Sequence, residues 1–110
     1  MKFENFYWHD SQVLGWTIES SDDQSATASV ELRLASWEEM QALERFHVTI
    51  RFEKVEKLVL NCDFASLADN FSAGNVDWAS REGERKFKFD LFGENSFEVV
   101  ADSVTITRER

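Results

Sequence analysis

The sequence predicts a mainly β domain with a minor α component: an antiparallel sandwich or half-open barrel of about six or seven strands, carrying one or two short helices. Three observations point there. Apolar residues recur at every second position in several separate stretches, the period of a strand with one buried face. Ten Phe, four Trp and one Tyr supply bulky side chains that favour strands and bury large areas. Proline is absent and glycine occurs four times, so corners fall to Asp, Asn and Ser, whose side chains satisfy nearby backbone groups. At 110 residues the chain reads as one domain, residues 1–110, long enough to bury a core without disulfide or metal staples.

The first strand is expected from about Gln12 to Glu19, where Leu14, Trp16 and Ile18 alternate with Gly15, Thr17 and Glu19. The polar run Ser20 to Ser25 reads as a turn. Ala28, Val30, Leu32 and Leu34 then alternate with Ser29, Glu31 and Arg33 in a strand that returns antiparallel. Ser36-Trp37-Glu38-Glu39 fits a capping box followed by helix formers through Arg45, which predicts a short helix or else a wide connection. Phe46, Val48, Ile50 and Phe52 alternate with His47, Thr49 and Arg51, and Val55 to Leu60 reads as a further strand after a polar turn at Glu53-Lys54.

Phe64, Leu67, Ala68 and Phe71 switch to helical spacing, with Gly74 placed to end that helix. Residues 72–84 look loop-like, and Trp78 is their one anchored residue: a loop Trp either folds back over the core or holds a partner. Phe87, Phe89 and Leu91 alternate with Lys86, Lys88 and Asp90, then Gly93 to Ser96 reads as a turn before Phe97 and Val99. The apolar phase then shifts to Val104 and Ile106, so a bulge near Ala101-Asp102-Ser103 or a tight bend has to flip the faces.

Charge narrows the partners. Twenty-one acids against twelve bases give a net charge of −9, which repels nucleic acid phosphates and anionic lipid and steers toward a basic protein. Residues 1–44 hold nine acids and two bases, a net of −7. Their acids Asp22, Asp23, Glu38, Glu39 and Glu44 are the candidate partner-binding surface; plain solubility is the competing reading. No basic and apolar leader and no run of about 20 apolar residues is present, so the cytoplasm is the expected compartment and no membrane partner is expected. The lone Cys62 agrees with a reducing compartment and reads as a small buried hydrophobe.

The densest chemistry is Phe6-Tyr7-Trp8-His9-Asp10-Ser11. A histidine beside a carboxylate invites a metal or general-base reading. Neighbours on an extended segment point to opposite faces, however, and the remaining ligand types His47 and Cys62 lack paired metal-site spacing. No nucleophile elbow or phosphate-binding glycine loop accompanies them, so neither a cofactor nor a catalytic set is expected. Trp8, His9, Asp10 and Trp16 are therefore candidates either for a pocket or for a structural anchor, with Trp8 and Phe6 covering the core end and Asp10 or Ser11 capping the turn into strand one.

The order of these pieces resembles a known group. Tyr7-Trp8-His9-Asp10-Ser11-Gln12-Val13-Leu14, then a hairpin, then Val48-Thr49-Ile50-Arg51-Phe52-Glu53-Lys54-Val55 and a late Phe97-Glu98-Val99 strand, is similar to small bacterial β-rich proteins with a His-Asp-Ser signature. Some of these are grouped with the immunity proteins of polymorphic toxin systems. The resemblance implies a non-catalytic role, binding and blocking a basic toxin through charge complementarity. Two other classes stay open on the residues alone: a ligand-binding or enzymatic barrel with a pocket near His9, Asp10 and Trp16, and a homodimer pairing through an exposed sheet edge.

Overall fold

The computed structural model describes residues 2–3, 6–20, 28–37, 44–63 and 75–109. Six strands make up nearly all of them: β1 Tyr7–Ser20, β2 Ala28–Trp37, β3 Arg45–Asn61, β4 Val76–Glu82, β5 Lys86–Leu91 and β6 Asn95–Glu109. They form one antiparallel sheet in the order β1-β2-β3-β6-β5-β4. The sheet curls until its two outer strands meet, where Gln12 of β1 bridges Asn75 just ahead of β4. Of the two architectures expected, the half-open barrel is the one found. No helix among the described residues is long and apolar enough to cross a membrane.

The alternating stretches supply the core. Val30, Leu32 and Leu34 of β2, Val48, Ile50 and Phe52 of β3, Phe87 and Phe89 of β5 and Phe97 and Val99 of β6 are all essentially buried. Aromatic rings knit the strands together: Phe89 stacks on Phe97 at 4.4 Å, and Phe87 meets Phe52 edge-on at 5.1 Å. Trp16 presents its edge to Phe97 at 4.2 Å, so one of the pocket candidates is a core contact.

Several expectations are corrected. The two strands expected on either side of Glu53-Lys54 are one strand, β3. Seventeen straight residues would run about 53 Å, beyond the molecule's 44 Å principal extent, and β3 bends instead: Lys54 takes a left-handed φ of 51°, and Glu56 is the extra residue of a bulge between Val55 and Lys57. The phase flip expected in β6 is present, and β3 shares it. Phe52 faces Val104 on one side of the bend and Val55 faces Ala101 on the other, so both strands turn over together.

Residues 76–82, expected within a loop, form β4. In β1 the register slips by one at Leu14, which is 39% exposed while Val13 and Trp16 pack on the core; Ile18 is 56% exposed. Ser36 and Trp37, the front of the predicted capping box, belong to β2, and Arg45 begins β3; the segment between them, residues 38–43, and the helix expected over 64–71 lie outside the described residues. The turn expected at Gly93 to Ser96 closes earlier, with Gly93 and Glu94 both at positive φ and Asn95 already in β6.

Candidate functional site

The Phe6 to Ser11 stretch lies where the sheet closes on itself. Between Tyr7, paired with Trp37, and Gln12, paired with Ala35, β1 carries more residues than β2 and bulges, with Asp10 in a left-handed φ of 61°. Aspartate tolerates that conformation better than most residues. A second bulge faces it, because Asp77 is the extra residue between Val76 and Trp78 of β4.

The two bulges are buckled together. Asn75 Nδ2 donates to Asp10 Oδ1 at 3.0 Å. His9 Nδ1 lies 2.8 Å from the Asp77 carbonyl, and since a carbonyl only accepts, that nitrogen carries the proton. Arg45, at the start of β3, fastens the β1 bulge from the other side, donating to the Asp10 carbonyl at 3.2 Å and to Gln12 Oε1 at 3.3 Å while its guanidinium lies 4.6 Å over Trp37. Beneath them Ser11 and Ser36 are fully buried and share a hydroxyl hydrogen bond. The expected capping of the turn by Asp10 or Ser11 is thus replaced by side-chain contacts 65 and 25 residues away.

Beside the buckle lies a depression of about 200 Å³ lined by Phe6, Tyr7, Trp8, His9, Trp78 and Ala79. Trp8 forms its floor, only 6% exposed, with Nε1 donating to the Phe3 carbonyl at 2.9 Å and its ring stacked on Phe6 at 4.8 Å. Trp78 stands at the edge with 66% of its surface open. Of the four pocket candidates, the structure brings Trp8 and His9 to this depression. Asp10 is engaged next to it in the buckle, and Trp16 is elsewhere, against Phe97. Asn75 and Asp77 were not singled out from the sequence; their partners are too distant along the chain for any local pattern to mark them.

A second depression, of about 240 Å³, is polar and lined in part by Glu19, Ser29, Arg51 and Glu53. Of its two cations, Lys54 and Arg51, the second is internally matched: Arg51 donates to Glu31 at 2.6 Å, Glu53 at 3.1 Å and Ser29 at 3.4 Å, and the hydrogen bond to Glu31, above all, raises its pKa further. Cys62 packs against the core, and burial pushes its thiol pKa up. Among the described residues no three His, Cys, Asp or Glu side chains are grouped to hold a metal ion.

Of the acidic candidates, Glu44 is exposed beside Arg45, whereas Asp22, Asp23, Glu38 and Glu39 lie outside the described residues. The residues flanking the two acidic segments are described. Ser20 and Ala28 stand at one end of β2, and Trp37 and Glu44 at the other, about 30 Å away for a ten-residue strand. The Glu44 end is the end that carries the buckle.

No protein family model matches the chain, and neither a curated protein nor a solved structure matches it.

Proposed function

We propose that this chain is a non-catalytic protein-binding domain that docks a basic partner, in the manner of an immunity protein neutralising a toxin in the cytoplasm. The observation that carries this reading is Trp78, held in a strand and yet 66% exposed, beside the half-buried Tyr7 and the exposed His9. Tryptophan and tyrosine are the side chains on which interfaces most often concentrate their energy. Covering the open part of such an indole, roughly 150 Å², is worth about 4 kcal/mol at about 25 cal/mol per Å².

Charge supports the choice of partner. Four of the basic residues in the second half are matched within the molecule: Arg45 with Asp10, Arg51 with Glu31 and Glu53, Arg85 with Glu56 and Asp102, and Lys86 with Glu82 and Glu98. The net charge of −9 then speeds encounter with a cationic surface, an effect that salt screens. His9 Nδ1 and Asp10 Oδ1 are engaged in joining β1 to β4, which gives these two atoms a structural role.

The test is co-expression with each basic protein encoded beside this gene, followed by stopped-flow association kinetics and calorimetry on any complex. A complex whose association slows at least tenfold on raising salt from about 0.02 to 0.2 M, and which Trp78→Ser weakens without unfolding the chain, is the expected result. A partner that binds with no salt dependence, or no basic partner among the neighbours, would overturn the reading.

A further inference from the structure

We infer that the depression at the β1–β4 seam is a notch for the guanidinium of a partner's arginine; this rests on the protein-binding reading and names the group that the site takes. The surfaces a guanidinium needs are present there, with no Lys or Arg over Trp78 or paired with Asp77 among the described residues. Trp78 offers an open indole face, and Tyr7 and His9 stand across the depression from it, on the other outer strand. Carboxylates flank them. Asp77 precedes Trp78 at the bulge with its side chain 55% exposed and, among the described residues, His9 as its charge partner at 3.8 Å. Asp90 is the cross-strand partner of Trp78, which puts the two side chains on one face of the sheet.

Neither Asp77 nor Asp90 has a Lys or Arg partner among the described residues, in contrast to Asp10, Glu31, Glu53, Glu56, Glu82, Glu98 and Asp102. The chain itself uses the same chemistry elsewhere: Arg45 lies over Trp37, Arg81 over Phe87 and Arg108 over Phe46, at 4.1 to 4.9 Å. Trp78 has the matching acids and carries no such cation among the described residues.

Arginine fits better than the alternatives for stated reasons. A planar guanidinium stacks on an indole and still presents N–H groups at its edge to a carboxylate, whereas an ammonium is a compact and strongly hydrated charge. An apolar side chain would strip water from Asp77 and Asp90 and return no hydrogen bond. The floor of Phe6 and Trp8 is apolar and already satisfied, since the Trp8 N–H is donated to Phe3, so it does not compete for the ligand's polar edge.

The test is a titration followed by two-dimensional ¹H–¹⁵N NMR on the whole chain, reading the Trp78 indole N–H, which is assigned from Trp78→Phe. The probes are the peptide Gly-Gly-Arg-Gly-Gly and the same peptide with citrulline, the neutral isostere of arginine. The arginine peptide is expected to shift the Trp78 indole and the amides of residues 77–79 saturably, and the citrulline peptide to bind at least tenfold more weakly. Asp77→Asn is expected to weaken arginine binding several-fold, and Glu84→Gln, on the exposed β4–β5 turn, to leave it unchanged.

Equal shifts from both peptides, or equal losses from Asp77→Asn and Glu84→Gln, would overturn the notch. Both substitutions change exposed side chains, so retained NMR dispersion separates a lost site from a lost fold. The two readings also fail separately. A partner protein that Trp78→Ser weakens but that the Asp77→Asn chain binds as tightly as the wild type overturns the notch and leaves the protein-binding reading in place. Saturable arginine binding at Trp78 supports the notch whatever the search for a partner protein returns.

Discussion

Replacing Asp10 takes the seam apart one interaction at a time. Its carboxylate accepts from Asn75 at 3.0 Å and lies 3.7 Å from the Arg45 guanidinium, and its backbone is left-handed. Asp10→Asn keeps an oxygen for Asn75 and tolerates that backbone, so it loses only the ion pair. With the Asp10 side chain 45% exposed, solvent screening holds that loss to about 0.5 kcal/mol.

Asp10→Gly also loses the hydrogen bond, about 1.5 kcal/mol more for a charged acceptor, while its backbone is at ease at positive φ. Asp10→Ala loses both interactions and must hold a Cβ in the left-handed region, about 1 kcal/mol beyond glycine. The expected order of stability is Asp, Asn, Gly, Ala, with the alanine variant about 3 kcal/mol below wild type. Urea unfolding followed by tryptophan fluorescence measures it. Adding Asn75→Ala to Asp10→Ala should cost about 1 kcal/mol less than Asn75→Ala alone, because the partner is already gone. Equal losses for glycine and alanine would refute the left-handed bulge, and strictly additive losses would refute the contact between β1 and the start of β4.

Other consequences of the fold can be measured in the same way. Leu32→Ala, at a fully buried position, is expected to lose about 2 to 5 kcal/mol. Leu14→Ala, at the exposed slip in β1, should lose under about 1 kcal/mol, and comparable losses would contradict the register. Glu94 is exposed with φ at 66°, so Glu94→Gly should raise stability by up to about 1 kcal/mol, seen as a higher Tm; a lower one would refute the turn geometry.

Burial raises the Cys62 thiol pKa, and only the thiolate alkylates. Its reaction with iodoacetamide should therefore reach half its limiting rate at a higher pH than a free thiol. The folded pKa lies above the unfolded one, so the stability this group contributes is full below the unfolded value and is lost as pH rises through the folded value. The urea midpoint of the wild type should accordingly fall at alkaline pH more than that of Cys62→Ala. Alkylation that follows the pH profile of a free cysteine would contradict the burial.

Alternation is a local signal, and where a strand has one face on the core it was enough. Val30 to Leu34, Val48 to Phe52 and Phe87 to Leu91 all appear as strands from their own residues, as does the change of phase between Val99 and Val104. It failed on the outer strands, for the reason that bulges erase the period. The slip at Leu14 sends an expected core residue outward, and in β4 the extra residue at Asp77 leaves only Val76 buried, so that stretch has no periodicity to find. It also failed at Lys54, where a polar pair that reads as a turn is a bend inside one strand.

For the site, composition marked the Tyr7 to Ser11 cluster and the acidity of the chain, both properties of residues taken singly or side by side. What His9 and Asp10 do was decided only by the curl of the sheet, which brings Asn75 and Asp77 to them across 65 and 68 residues of chain. The exposure of Trp78 was decided there too. Which of two strand faces meets the core depends on the strands that close around it, and no local pattern carries that information.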